Sequence, residues 1–168
     1  LSPSGHVRHL AVAPSNGQVI YVATNKGELW RTSDGGSTFT PIFTGNPGLP
    51  NESFGFVSVD PTNWRRVLVA IESSGNTAKL YECLDTTAAL RVWTAKNGAL
   101  LGQQLPNAAA NAIGRHPQDP SNTWFVATDN GVYHTRNAGK TWMDLTPVGA
   151  FPNVRVTDVK VQATTGLI

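Results

Sequence analysis

The chain has 168 residues, enough to bury a hydrophobic core in one domain. Its formal charge of +2 is spread along the sequence without a basic run, which argues against nucleic acid as a partner. The one cysteine, Cys83, excludes an internal disulfide and a cysteine-cluster metal site, and no apolar stretch is long enough for a membrane helix, so no metal, cofactor or membrane is expected.

Three units with the same order of local signals follow one another along the chain. Each opens on an apolar stretch that ends at a polar turn containing proline. A short apolar run comes next and lacks the strict alternation of a strand with one wet face. These runs are residues 21–24, 68–71 and 125–128. A turn and a third apolar run follow, so we interpret each unit as four short antiparallel strands.

A recurring phrase closes the third strand of each unit, at a spacing of about fifty residues. Residues 32–39 and 135–142 are full copies. A third, incomplete copy begins at Cys83, and its aromatic residue, Trp93, lies further along the chain than in the full copies. A side-chain oxygen accepts backbone N–H groups of the turn, glycine takes positive φ, and a large aromatic residue returns on the next strand. The residues with these structural roles are Thr32, Asp34, Gly36, Phe39, Asp85, Thr135, Asn137, Gly139 and Trp142. We expect the side chains of Asp34 and Asn137 to bond their own turns, with Phe39 and Trp142 largely buried.

The turn phrase and its flanking strands resemble the Asp-box, or bacterial neuraminidase repeat, of sialidases, oligoxyloglucan hydrolases, sortilin-type receptors and photosystem assembly propellers. The resemblance covers nearly the whole chain and implies an all-β fold, a partial β-propeller with three four-stranded antiparallel blades and the first strand of a fourth. The second blade departs from the pattern, because Thr87 stands where glycine is usual and Trp93 is delayed by an insertion. The resemblance places blades at residues 6–44, 53–95 and 109–146 and an inner strand of a further blade at residues 153–162.

Known propellers have at least four blades, so three blades and one strand leave the ring open. Uncovered apolar faces and unpaired strand edges tend to recruit another chain. We therefore expect self-association, or association with the remainder of a longer chain, to close the propeller.

In propellers of this family, ligands bind on the face formed by the loops between blades and by the turns between second and third strands. In this chain that face combines amides with aromatic rings, which suits sugars because hydroxyls form paired hydrogen bonds and C–H faces stack on aromatic carbon. The candidate ligand-binding residues are Asn51, Glu52, Phe54, Asn107, Asp129, Asn130, Phe151 and Asn153, with Asn25, Lys26 and Asn76 on the same face.

Asp129 is the candidate catalytic residue. Its segment, residues 127–133, is similar to the one that holds an acidic catalytic residue in oligoxyloglucan-hydrolase propellers, although it lacks the second glycine. A glycosidase needs two opposed carboxylates, and the sequence identifies no second one. A structural role for Asp129 in its own turn is therefore the favoured interpretation. Sialidase activity is not expected, because the arginine-containing entry motif of sialidases is absent.

Three functions remain open at this point. The first is a binding scaffold for an oligosaccharide or polysaccharide. The second is a fragment of a glycoside hydrolase whose catalytic site is completed by further blades, and the third is a protein-interaction propeller of the assembly-factor or receptor type. The low charged fraction, 14%, and the many small polar residues favour an extracellular or periplasmic location.

Overall fold

A computed structural model describes residues 4–43, 48–75, 78–146, 152–162, 164 and 168. The regular structure in these ranges consists of β-strands grouped in three sheets. Blade 1 contains β1 (Val7–Ala13), β2 (Asn16–Thr24), β3 (Leu29–Thr32) and β4 (Thr40–Pro41). Blade 2 contains β5 (Phe54–Asp60), β6 (Asn63–Ile71), β7 (Leu80–Cys83) and β8 (Thr94–Ala95). Blade 3 contains β9 (Ala110–Arg115), β10 (Trp124–Thr128), β11 (Gly131–Thr135) and β12 (Met143–Asp144).

Each blade is a four-stranded antiparallel sheet whose strands pair in sequence order. The predicted all-β architecture of three four-stranded antiparallel blades is therefore confirmed. The part of the chain that is described contains no helix able to cross a membrane.

The three blades share one hydrogen-bond register. Near its start, the first strand of each blade carries an irregularity in its pairing with the second strand, and the residues skipped there, which have no partner in the pairing, are Arg8, Gly55 and Asn111. Blades 1 and 2 have a second irregularity at the other end of the same pairing. A bulge of this kind bends a strand and redirects its side chain. The three residues thus hold the same position in three successive blades.

The blades pack face to face, which explains the unbroken apolar runs of their second strands. Val67, Val69 and Ile71 of β6 belong to the core shared with blade 1, whereas Leu68 and Ala70 belong to the core shared with blade 3. All five are fully buried, and burying an aliphatic side chain of this kind contributes about 1.5 to 3 kcal/mol. We call the face toward the preceding blade the leading face and the face toward the following blade the trailing face.

The interface between blades 2 and 3 also contains a buried ionic network. The guanidinium of Arg66 lies 2.7 Å from Glu82 and 3.7 Å from Asp60, and Arg115 lies 3.7 Å from the same Asp60 oxygen. Lys96 pairs with the second oxygen of Glu82 at 3.0 Å. Burial lowers the pKa of Arg115 to about 10, while the charge of Asp60 opposes this shift. Arg115 therefore stays charged at neutral pH inside the interface.

The segment 153–162, predicted to be the inner strand of a further blade, lies against blade 3. Val156, Val159 and Val161 pack on the trailing face of blade 3, and the Val156 amide donates to the Thr128 carbonyl at 2.9 Å. Gly114 leaves the space that one valine needs, because a Cβ there would lie 2.7 Å from Val161 Cγ2. The segment is nevertheless not assigned as a strand. A ladder needs a neighbouring strand, and the described residues supply none beyond this segment.

Candidate functional site

The turn phrase of blade 1 is closed by its own side chains. Thr38 N donates to Asp34 Oδ1 at 2.9 Å, the Thr32 hydroxyl donates to the same oxygen at 2.6 Å, and Gly36 N donates to Thr32 Oγ1 at 3.0 Å. The hydrogen bonds from Thr32 and Thr38 hold the pKa of Asp34 well below its usual range. Gly36 has a φ of 103°, which favours glycine. The side chains of Thr32 and Asp34 thus close the turn by bonding within it.

The turn of blade 3 is built the same way with an amide in place of the carboxylate. Thr141 N donates to Asn137 Oδ1 at 3.0 Å, and Gly139 N donates to Thr135 Oγ1 at 3.1 Å. Gly139 has a φ of 76°. The aromatic residue that follows, Trp142, is buried.

The incomplete turn of blade 2 keeps only part of the side-chain hydrogen bonding seen in the turns of blades 1 and 3. Asp85 Oδ1 accepts hydrogen bonds from the backbone and hydroxyl of Thr87, at 2.8 and 2.5 Å. Cys83 replaces the threonine, is buried, and has a thiol whose pKa is raised by burial. Trp93 is buried despite its late position. Phe39, the counterpart in blade 1, is only half-buried, contrary to the expectation that it would be largely buried.

A small cavity of about 160 Å³ lies where the first strands approach one another. We call it the inner-strand cavity. It is lined by Arg8, Gly55, Glu72, Asn111, Arg155 and Thr157. Three of these are the skipped residues of β1, β5 and β9, so the shared register of the blades brings them to one place.

One carboxylate, Glu72, lines this cavity, and a second, Asp129, lies beside it in contact with two lining residues. Glu72 follows β6 and pairs with Arg8 of blade 1. Asp129 follows β10, accepts a hydrogen bond from Asn111 Nδ2 at 2.9 Å, and pairs with Arg155 Nε at 3.1 Å. The side chains of Arg155 and Asp129 are 63% and 40% exposed, so solvent and a solute can reach them.

The sequence identified Asp129 but not the second carboxylate, Glu72. Asn25, Glu72 and Asp129 each come directly after the second strand of a blade. The amides of all three donate to a carbonyl just ahead of the first strand of the same blade. Aligning the ends of the second strands would have found Glu72, because that position carries a polar side chain in every blade.

Phe54 is not available to a ligand, which corrects its place among the candidate residues. It begins β5 and is fully buried in the core between blades 1 and 2. Phe151 and Asn76 lie outside the described residues. At these positions, no described aromatic residue is available for the predicted stacking against a sugar.

The other candidates lie on loops. Asn51, Asn107, Asn130 and Asn153 are exposed, and Glu52 is half-buried. A Cβ on Gly27 would lie 2.9 Å from the Glu52 carbonyl oxygen, so the junction before blade 2 lies against a turn of blade 1. None of these five residues lines the inner-strand cavity.

The sequence matches no protein-family model, and no curated protein matches it. Its fold does match solved structures. The β-propeller domain of Cps50 (Swd1) from Myceliophteria thermophila aligns with a TM-score of 0.58 and 13% identity, over 95% of this chain and 48% of that one. The chain has the fold of a partial β-propeller.

Two further solved structures extend this propeller likeness. An extracellular domain of a hybrid two-component system from B. thetaiotaomicron aligns with a TM-score of 0.63 and 12% identity, over 96% of this chain and 18% of that one. An ancestral GH74 enzyme aligns with a TM-score of 0.57 and 18% identity, over 83% of this chain and 18% of that one. This chain thus spans less than half of each of these three proteins, and at such identities the likeness establishes the fold alone.

Proposed function

We propose that this propeller segment is a binding scaffold for carbohydrate and that the sugar is held at the inner-strand cavity. The observation that carries the proposal is that Glu72, Asn111 and Arg155 line one cavity, with Asp129 bonded to the last two beside it. The turn phrases support placing the chain among Asp-box propellers.

The chemistry of the cavity suits vicinal hydroxyl groups. Each hydroxyl of a sugar donates one hydrogen bond and accepts others, so a sugar needs donors and acceptors close together. Glu72 and Asp129 supply acceptors, while Arg8, Arg155 and Asn111 supply donors. The described lining contains no aromatic ring, so recognition rests on hydrogen bonds rather than on stacking.

A glycoside hydrolase is the second candidate, and Glu72 is the observation that favours it. Hydrolysis of a glycosidic bond uses one carboxyl group as acid and a second as nucleophile or base. Glu72 and Asp129 are two carboxylates on neighbouring blades. Each is already paired with an arginine, and the contacts of the described residues do not set them on opposite sides of one bound sugar. Binding therefore takes precedence over catalysis.

Calorimetric titration with neutral and uronic-acid-containing oligosaccharides tests the binding function. Removing one hydrogen bond to a charged group costs about 1.5 to 3 kcal/mol, so Asp129→Asn and Asn111→Ala should each weaken binding about 10-fold or more. Asp34→Asn is the matched control, because Asn137 performs the same turn bond in blade 3. Loss of binding in the control, or unchanged binding in both site variants, contradicts the proposal.

A reducing-end assay on the same oligosaccharides separates the two candidates. Binding without release of reducing ends supports the scaffold, whereas turnover that Glu72→Gln and Asp129→Asn abolish supports the hydrolase. Absence of binding to every sugar, with a protein captured instead, would favour the interaction propeller.

We also propose an extracellular or periplasmic location, because polysaccharide ligands are accessible there. The low charged fraction supports this location. Fractionation of cells that produce the full-length protein tests it, and recovery in the cytosol alone contradicts it.

A further inference from the structure

The leading face of blade 1 exposes a row of three aliphatic side chains. Val7, Leu10 and Val12 of β1 are 51%, 52% and 50% exposed. Their partners on β2 are Thr24, Val22 and Ile20. The row is therefore contiguous on one face of a sheet, and its three side chains are half exposed although Thr24 and Val22 beside them are buried.

The equivalent row of blade 2 is buried. Phe54, Val57 and Val59 pair with β6 in the same register as the blade 1 row pairs with β2, and they are only 0%, 0% and 7% exposed. All three belong to the core shared with the trailing face of blade 1. The same sheet position is thus an interface in blade 2 and bare in blade 1.

The row recurs twice more, each time in contact with a blade. Ala110 and Ile113 of β9 are buried against blade 2, and Arg115, the third member, enters the ionic network there. In the segment 152–162, Val156, Val159 and Val161 have the same spacing and pack on blade 3. Three of the four rows are therefore covered by the trailing face of a blade.

The trailing faces that cover these rows share a simple pattern. The second strand presents a large apolar or aromatic side chain and, two residues later, an alanine that leaves room for the inserted row. These pairs are Tyr21 and Ala23, Leu68 and Ala70, and Phe125 and Ala127.

The aromatic residues of the repeated turns independently indicate that the leading face of blade 1 is uncovered. Trp93 and Trp142 are buried, and Trp142 Nε1 donates to the Lys96 carbonyl in the preceding blade at 2.7 Å. Phe39 holds the same place before β4 in blade 1 and is half-buried. The outer part of the blade 1 leading face is therefore incomplete in the same way as its inner part.

We propose that the leading face of blade 1 is an interface for a further β-propeller blade, seated ahead of β1, whose second strand carries a large apolar residue followed two positions later by alanine. A second copy of this chain does not fit the face as it stands. Within the described ranges, the trailing faces of blades 1 and 2 are covered by the next blade, and that of blade 3 is occupied by Val156, Val159 and Val161.

The chain itself can supply a probe for this interface. Pro3 precedes Val7, and Pro152 precedes Val156, by the same number of residues. Joining residues 1–151 to residues 3–168 therefore places blade 3 of a first copy directly ahead of blade 1 of a second copy, in register. In this tandem chain, Leu10 of the second copy should pack on the trailing face of blade 3 of the first copy, which carries Phe125 and Ala127.

Thiol labelling reads out whether the face is covered. Leu10→Cys in the second copy of the tandem should react at least 10-fold more slowly than Leu10→Cys in the single chain. Leu101→Cys is the matched control, because Leu101 is 95% exposed and should react fast in both. The native Cys83 is buried and adds little background.

Equal labelling of Leu10→Cys in a folded tandem and in the single chain overturns the proposal. Slow labelling in the single chain, together with a dimer by sedimentation, also overturns it, because a second copy then covers the face. For a tandem that does not fold, the decisive variant is Leu10→Asp in the single chain. Its melting temperature should be unchanged while that of Val57→Asp collapses, and a collapse of both contradicts an open face.

Discussion

The indole nitrogen of Trp142 donates a 2.7 Å hydrogen bond to the backbone carbonyl of Lys96, which follows the last strand of the preceding blade. The turn that begins the fourth strand of one blade is thereby fastened to the end of its neighbour. Trp142 also belongs to the core between blades 2 and 3. A residue of the repeated turn thus acts between blades as well as within one.

Replacing Trp142 should show both contributions. Trp142→Ala should lower the free energy of unfolding by about 3 to 5 kcal/mol through loss of buried ring. Trp142→Phe keeps most of the ring and leaves the Lys96 carbonyl without its donor, so part of that loss, about 1 to 3 kcal/mol, should remain. Phe39→Ala is the control, and urea unfolding should show a smaller loss there because Phe39 is half-buried. Equal losses for Phe39→Ala and Trp142→Ala would contradict this account.

Gly139 and Gly36 allow the interblade contact to be separated from backbone strain. Both have positive φ, but a Cβ on Gly139 would lie 2.8 Å from the Lys96 carbonyl oxygen, whereas nothing lies within 4 Å of one on Gly36. Gly36→Ala should cost about 1 to 2 kcal/mol from the left-handed conformation alone. Gly139→Ala should cost about 1 to 3 kcal/mol more, because it overpacks the interface. Thermal unfolding of the two variants checks this, and identical losses contradict it.

The Thr135 hydroxyl should matter more than the Thr141 hydroxyl. Thr135 is buried and accepts the backbone N–H groups of Asn137 and Gly139, at 3.3 and 3.1 Å. Thr135→Val orphans these donors and should cost about 1 to 3 kcal/mol. Thr141→Val loses one exposed contact with Asn137 and should change stability by about 0.5 kcal/mol or less. A reversed order in denaturant unfolding would refute the assignment of the turn scaffold to the first threonine.

The ionic network between blades 2 and 3 should be strongly coupled. Arg115→Met removes one partner of buried Asp60 and should destabilise the chain by about 3 to 5 kcal/mol. Asp60→Ala alone should cost a similar amount because it leaves the guanidinium unpaired. The double variant should cost less than the sum of the two single losses, since the second change removes an unpaired charge. Additive losses would show that the two groups do not interact.

Asp60 should also make the chain sensitive to acid. Burial alone would raise its pKa, but hydrogen bonds from Thr62 and the charge of Arg115 together hold the pKa below its usual value. A lowered folded-state pKa means that the stabilisation is present above the unfolded-state pKa, about 4, and is lost as the pH falls through the folded-state value. The melting temperature should therefore fall below about pH 4, and less steeply in Asp60→Asn. Asp34, Glu28 and Asp85 also have lowered pKa values, so the share of the network is the difference in acid loss between the unaltered chain and Asp60→Asn. Asp34→Asn is the control for a lowered carboxylate outside the network.

The repeat predicted most of the fold, and the reason is physical. Turn residues such as Asp34 and Gly36 need particular side chains for local reasons, so they mark strand ends without knowledge of the tertiary structure. Strands with unbroken apolar runs, such as β6, likewise indicate cover on both faces. The three four-stranded antiparallel blades were therefore predictable from the sequence.

The candidate site was less predictable because it depends on register between blades. Phe54 follows a proline–asparagine junction and was assigned to a loop, but β5 begins at that residue and turns its ring into the core. Glu72 was missed, since its pairing with Arg8 joins residues of two different blades. Segment 153–162 has the apolar spacing of an inner strand, but spacing alone does not supply the hydrogen-bonding neighbour that makes a strand.

The position of Arg115 has a consequence for the fidelity of folding. Repeated blades of similar shape invite misassembly in which one blade is skipped. If blade 3 docked directly on blade 1, Arg115 would face Ala13, which holds the register position of Asp60, and Arg31 would stand in place of Glu82. A buried guanidinium without a carboxylate costs several kcal/mol. The charged interface therefore disfavours packing of blade 3 on blade 1 and favours its packing on blade 2.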